Sequence, residues 1–445
     1  MILGARADPA PATTHATAPQ SRTLATPLWS PRRVPAIFVD AVAANRLDQQ
    51  LASVVSPFDS CVSVDDGAAA LVRINPTHAL AEASTQKLLV AAAALSVLGP
   101  THRFTTRAVT AAPVQGGDIS GDLVIVGGGD PVLTSVPGAA QPSTSLSDLA
   151  DAIVRAGVRR IDGSLVADDS RYDRTREVPD WKPSETAEGD VGALGALVVN
   201  GGRADNASTP AADPALDTVD DLASLLEARG VQISGGERDA TATTPASDHE
   251  IAHVDSPALA AIVEQMLTVS NNETAELLTR EVAVASGAPG STTAGTHAVI
   301  AALGRLGVPT AGLDLHDGSG LAPDDRVTCN ALLGVIGLTQ RPAFAAIVKG
   351  LPVAGETGTL AGRLVGTPLA GRLHAKTGHI DGVVGLAGLI GPGIPSSGAR
   401  FAFISNGSFS TDEGANLQDE IATTIGGYPN APAASTLVPA PEAAG

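Results

Sequence analysis

Residues 83–99 read ASTQKLLVAAAALSVLG, and no other stretch restricts the fold as much. After Lys87 the segment is apolar on every side, and a helix of that kind belongs in the middle of a domain. Residues three apart share a helix face. Ser84 and Lys87 therefore stand one turn apart, hydroxyl beside amine, at the wet end of a dry helix. Desolvation favours the neutral form of a lysine, and a neutral amine can take the proton of a serine hydroxyl and turn it into a nucleophile. Most Ser-x-x-Lys pairs are only a helix cap beside a solvated lysine. Here the chain has 4 Lys against 24 Arg. Where arginine is the habitual cation, a lysine answers a chemical need, because arginine stays charged and cannot act as a base.

The order of elements follows from the apolar pattern. Helical spacing runs over 35–54. Two strands, 59–64 and 68–74, flank Asp65-Asp66-Gly67, and Asp-Gly between apolar runs signals a hairpin. After Pro100 come short strand-like runs at 103–110, 122–128, 163–169 and 193–201, with helices at 146–157 and 217–229. From 256 the chain turns helical, and it ends in strands at 371–377, 382–391 and 400–407 and a helix at 412–425. Strands near both ends with helices between predict an α+β fold. Its core is one antiparallel five-stranded sheet built from the two ends and flanked by helices, with a large inserted α/β region. The expected divisions are a tether over 1–34, a first catalytic part over 35–102, the insertion over 103–250, a second catalytic part over 251–427, and a tail over 428–445. Both ends are rich in Pro and Ala and read as disordered.

Composition removes several classes. The net charge of −19 disfavours nucleic acid, which needs basic patches. No run is apolar enough for a transmembrane span. Metal-binding cysteine spacing and HExxH are both missing, so no metal is expected. Cys61 falls on the first predicted strand and Cys329 opens a late helix. If the chain ends share one domain the two could meet and bridge in an oxidising compartment. The alternative is two buried free thiols acting as small apolar residues.

Two further stretches carry candidate chemistry. Val269-Ser270-Asn271-Asn272 lies between two amphipathic helices, where short polar residues are usually caps. Placed together on a loop, the Ser270 hydroxyl could pass a proton to a leaving amine, and the Asn272 carboxamide could orient a peptide amide. His374-Ala375-Lys376-Thr377-Gly378-His379 ends an apolar strand. Either it is a strand-end turn with a solvated lysine, or an edge strand whose glycine admits a substrate backbone. In the second case Lys376 and Thr377 would hold a carboxylate, and a backbone N–H would face a developing oxyanion.

Ser-x-x-Lys, Ser-Asp-Asn and Lys-Thr-Gly together are the signature of class A β-lactamases and penicillin-binding proteins. All three stand here in that order, with Asn271 in place of the Asp, and two of the four lysines lie inside them. The chain resembles the penicillin-recognising serine enzymes. The long interval between the first and second motifs is similar to the low-molecular-mass class C penicillin-binding proteins, which are D-alanyl-D-alanine carboxypeptidases and endopeptidases. Arg103-Phe104-Thr105-Thr106, Val126–Pro131, Asp317-Gly318-Ser319-Gly320-Leu321 and Gly358-Thr359-Leu360 look similar to that family as well.

The resemblance implies a transpeptidase-like fold, no cofactor, and peptidoglycan stem peptides and β-lactam antibiotics as binding partners. It implies Ser84 as nucleophile, Lys87 as base, Ser270 as proton relay and Asn272 as orienting residue. Lys376 and Thr377 would bind the terminal carboxylate, with Gly378 in the same strand and the N–H groups of Ser84 and His379 forming the oxyanion hole. A β-lactamase and a non-catalytic wall-binding module are the alternatives. Such a substrate lies outside the cytoplasmic membrane, so export is expected, although residues 1–20 lack a signal pattern.

Overall fold

The two ends of the chain meet in one antiparallel sheet. Its strand order is Leu373–Ile380, Val383–Ile390, Ala399–Asn406, Asp59–Asp66, Ala69–Ile74. The computed structural model describes residues 36–67, 69–111, 113–204, 209–240, 249–391 and 398–429. The expected tether over 1–34 and almost all of the expected tail lie outside them. Residues 44–429 group as one unit, and residues 1–43 with 430–445 group separately.

Alternation along the strands sends side chains to two cores, as the two-residue period of a strand requires. Cys61, Ala402 and Ile404 face a core shared with the helices Lys87–Val97, Leu259–Val269, Asn272–Ala285 and Cys329–Leu338. Val62, Val64, Phe401 and Phe403 face the other core. There they meet Leu47, Leu51 and Val55, one helical turn apart on Ala36–Val55, and Leu417 and Ile421 of the last helix, Thr411–Gly426. Each such large apolar side chain contributes about 1.5–3 kcal/mol of burial. The expected five-stranded sheet with helices on both faces is therefore present. Every residue from Lys87 to Leu95 is buried, as an all-round apolar helix demands. Cys61 and Cys329 are bonded to each other, tying the strand Asp59–Asp66 to the start of the helix Cys329–Leu338. Among the described residues no single helix is long and apolar enough to cross a membrane.

A second five-stranded sheet carries most of the intervening chain, in the order Glu237–Asp239, Leu165–Asp168, Leu123–Val126, Thr105–Thr110, His249–Asp255. The first three strands pair in parallel and the last three antiparallel. Leu146–Arg155 and Pro214–Glu227 pack on it through Leu149, Ile153, Val219 and Leu222. The strand His249–Asp255 is not apparent in the sequence, because four of its seven residues are His, Glu or Asp. It closes the region by pairing with the entering strand Thr105–Thr110. Ser256 fixes the join, its hydroxyl accepting from the Phe104 N–H at 2.9 Å while its carbonyl accepts from Arg103.

The strand expected at 193–201 does not form. Gly201, Gly202 and Asn200 all take positive φ there, which breaks any ladder. The segment is instead a buried seam. Leu197 and Val199 enter the core of the second sheet, while Leu194, Ala196 and Val198 enter a cluster with Trp181 and Leu277. Its backbone groups are satisfied locally: the Gly129 N–H donates to Ala196 O, and the Leu194 N–H donates to Arg176 O. The apolar alternation was real, but its two faces serve two cores rather than a sheet.

Candidate active site

Ser84 lies in a 3-10 turn, Ala83–Gln86, that runs into the helix Lys87–Val97. The tighter turn stacks residues three apart more directly than an α-helix does. Lys87 Nζ accordingly reaches Ser84 Oγ at 2.9 Å. Two acceptors take its other sides: Asn272 Oδ1 at 2.6 Å and the carbonyl oxygen of Ser319 at 2.6 Å. Lys87 is fully buried, and burial lowers its pKa to about 8 against the opposing pull of Asp317, Glu276, Glu273 and Asp325. A neutral amine keeps two N–H groups and one lone pair. With both N–H groups held by the two carbonyl-type acceptors, the lone pair faces the Ser84 hydroxyl.

Ser270 ends the helix Leu259–Val269 in the left-handed conformation, φ 60° and ψ 41°. That region disfavours L-residues, and such strain gathers at functional sites. Asn271 is the cap of the next helix, its side chain accepting from the Thr274 N–H at 2.7 Å. Asn at this position in place of Asp therefore preserves a structural role. Asn272, the first residue of Asn272–Ala285, points back to Lys87 with its oxygen and donates from Nδ2 to the Asp190 carbonyl at 2.8 Å.

Lys376 lies on Leu373–Ile380, the edge strand of the sheet. Its Nζ donates to Ser270 Oγ at 2.8 Å and to the carbonyl of Thr377 at 2.7 Å. Burial, with the neighbouring Lys87 adding to it, holds its pKa well below the ordinary lysine value. The Ala375 N–H points outward from the sheet to Pro352 O. By strand alternation the His379 N–H lies on that same outer edge. The structure thus gathers Ser84, Lys87 and Asn272 into one contact set and Ser270, Lys376 and Thr377 into another.

Gly378 also has a packing reason to be glycine. A Cβ there would come within 2.4 Å of Glu82 O and 3.2 Å of the Ser84 N. The backbone it admits belongs to the turn that carries Ser84, which rests directly on the strand. Gly320 packs as closely on the same turn, where a Cβ would meet Ala83 O at 2.1 Å.

Sequence reasoning placed the three motifs but missed what supports them. The Asp317 carboxylate accepts from Trp181 Nε1, Gln86 Nε2, Ser319 Oγ and the N–H groups of Gly320, Leu321 and Ala322. Glu276 Oε1 accepts from the N–H groups of Gly318 and Ser319. Together they fix the loop whose Ser319 carbonyl holds Lys87. Burial, aided by Asp317, raises the Glu276 pKa to about 8. The stretch Asp317–Leu321 was a visible signal. Glu276 was visible only as the residue one helical turn after Asn272.

Among the described residues no group of three or more His, Cys, Asp or Glu is arranged to hold a metal ion. A sequence model of the D-Ala-D-Ala carboxypeptidase 3 (S13) family matches residues 41–213 and 204–426. The chain belongs to this family. The S13 assignment agrees with the class C penicillin-binding resemblance drawn from the motif spacing. A D-alanyl-D-alanine carboxypeptidase of Actinomadura sp. (strain R39) is 31% identical over 427 residues, covering 78% of this chain and 77% of the relative. A carboxypeptidase of Mycobacterium tuberculosis is 33% identical over 368 residues, covering 78% and 75%. The crystal structure of penicillin binding protein 4 from Haemophilus influenzae superposes with a TM-score of 0.73 at 20% identity, covering 84% of this chain and 98% of that one. That likeness establishes the shared fold of the S13 chain.

Proposed function

We propose that this S13 chain is a serine D-alanyl-D-alanine carboxypeptidase that trims peptidoglycan stem peptides and is acylated by β-lactams at Ser84. The carrying observation is the Lys87 amine, buried, 2.9 Å from Ser84 Oγ and held by two acceptors that leave its lone pair on the hydroxyl. Lys87 takes the Ser84 proton as Oγ bonds to the carbonyl carbon between the last two D-alanines. The oxyanion is held by the N–H groups of Ser84 and His379. Ser270, hydrogen-bonded to Lys376, passes a proton to the departing amine as the C–N bond breaks. Asn272 orients the peptide, and Lys376 with Thr377 receives the terminal carboxylate. Water then cleaves the ester and frees Ser84. The same steps cut a cross-link when the leaving amine belongs to a second stem peptide, which is endopeptidase action.

The substrate lies outside the cytoplasmic membrane, and a disulfide between Cys61 and Cys329 suits an oxidising compartment, so the site of action is the cell envelope. The deciding experiment is digestion of a defined pentapeptide muropeptide and its cross-linked dimer, with products read by mass. Released D-alanine is the expected product, and Ser84→Ala must abolish it. Rapid turnover of nitrocefin without peptide cleavage would instead favour the β-lactamase reading. Binding of muropeptide without any cleavage would favour a wall-binding module.

A further inference from the structure

The loop Gly355–Leu360 carries a hydroxyl that the roles above do not use. Thr359 Oγ1 lies 2.7 Å from Thr377 Oγ1, and Thr359 is exposed while Thr377 is half-buried. The loop is firmly held. Leu360 is fully buried, and its carbonyl accepts from the Gly355 N–H at 2.9 Å. The Val353 N–H donates to Thr357 Oγ1 at 3.0 Å. Gly358, at φ +57°, presses against the helix that ends at Ser270, so close that a Cβ would stand 2.3 Å from Thr268 O. Thr359 is therefore fixed between the helix that presents Ser270 and the strand that presents Lys376 and Thr377.

We propose that Thr359 is a positioning residue for carboxylate recognition: its hydroxyl donates to Thr377 Oγ1 and so turns the Thr377 proton outward, toward the substrate's terminal carboxylate. A hydroxyl has one proton and two acceptor sites. In a pair 2.7 Å apart, one proton is used inside the pair and one remains. With Thr359 as the internal donor, the remaining proton is on Thr377, whose carbonyl Lys376 holds at 2.7 Å. The internal bond also polarises Thr377 and strengthens its outward donation. Without Thr359, the Thr377 hydroxyl is free to rotate, and the directed donor is lost. The inference rests on the proposed function, because it takes the carboxylate of a D-alanyl-D-alanine end or of a β-lactam as the ligand.

The test compares acylation by benzylpenicillin with acylation by its methyl ester, read as the rate of intact-protein mass increase, in wild type, Thr359→Val and Thr359→Ser. A carboxylate takes a stronger hydrogen bond than an ester carbonyl. Thr359→Val should slow acylation by the free acid by about threefold to tenfold, the range of a single directed hydrogen bond. The ester should change by less than about twofold on the same scale. Thr359→Ser should restore the preference for the acid, since it keeps the hydroxyl. A uniform fall for both compounds would mean that Thr359 only supports the loop and would overturn the inference. So would an unchanged acid rate in Thr359→Val, or a serine variant that behaves like the valine one. Wild-type protein that neither compound labels would refute the proposed function itself, a result distinct from all of these.

Discussion

The sharpest consequence of the site is a pH dependence of Ser84 acylation. In the proposed mechanism Lys87 acts only when neutral, so the rate should follow its unprotonated fraction. Lowering its pKa from 10.5 to about 8 disfavours the ammonium by about 3 kcal/mol. At pH 7 the neutral fraction is then about 9%, against roughly 0.03% for an ordinary lysine, a gain of about 300-fold. The sign is fixed: acid protonates the base, so acylation falls as pH drops below about 8. The rate constant for acylation by a fluorescent penicillin, taken by stopped flow from pH 6 to 9.5, should rise about tenfold per pH unit up to pH 7 and level off above 8. The β-lactam carboxylate does not titrate in that window, so the profile belongs to the enzyme. A rate independent of pH between 6 and 8 would refute the reasoning. So would one that climbs without a break to pH 9.5, since Lys87 would then be an ordinary amine.

Other perturbations have equally defined outcomes. Lys87→Ala should cost at least 100-fold in acylation with little change in the amount of folded protein, as loss of a general base does; kinetics on purified protein decide it. Gly378→Ala should push the Ser84 turn off the strand, because the added carbon meets Glu82 O at 2.4 Å, lowering both thermal stability and acylation; unchanged values of both would show that the turn can yield. Cys61→Ala with Cys329→Ala opens a link between residues 268 apart in sequence, with an expected loss of about 2–5 kcal/mol in denaturant unfolding. Glu276→Leu removes the acceptor for the N–H groups of Gly318 and Ser319, and should slow acylation by loosening the carbonyl that holds Lys87; Glu276→Gln, which keeps that acceptor, should lose far less.

What the sequence revealed and what it hid divide along physical lines. The helix after Ser84, the two-ended sheet and the three motifs were legible because each rests on local periodicity or on close spacing. The segment 193–201 misled because its apolar alternation matches a strand, while the positive φ angles at 200–202 that break the strand leave only a Gly-Gly pair as a trace. His249–Asp255 was hidden because an edge strand partnered on one side tolerates His and Glu on its open face. In the site, Ser84, Lys87, Ser270, Asn272 and Lys376 could be named. Their pairing into two contact sets could not, because it depends on a left-handed residue at Ser270 and on the loop ordered by Asp317. The reason for Gly378 was also invisible, since it lies in a backbone nearly three hundred positions earlier in the chain.

The order in which the chain leaves its point of synthesis gives the two-ended sheet a further meaning. The hairpin Asp59–Ile74 emerges early, but its neighbour Ala399–Asn406 emerges near the end, and every pairing between them is long-range and slow to form. The inserted region can complete its own sheet once Asp255 is out, because its entering and closing strands are partners. During synthesis a small finished body therefore hangs from an unfinished one, with the turn bearing Ser84 made but nothing to press it against. Gly378 and the strand that carries it arrive late, and with them the surface on which the Ser84 turn rests. Until Ala399–Asn406 is in place the sheet is not joined, so a copy cut before residue 399 would carry Ser84, Lys87 and Lys376 and still lack the sheet that holds them together.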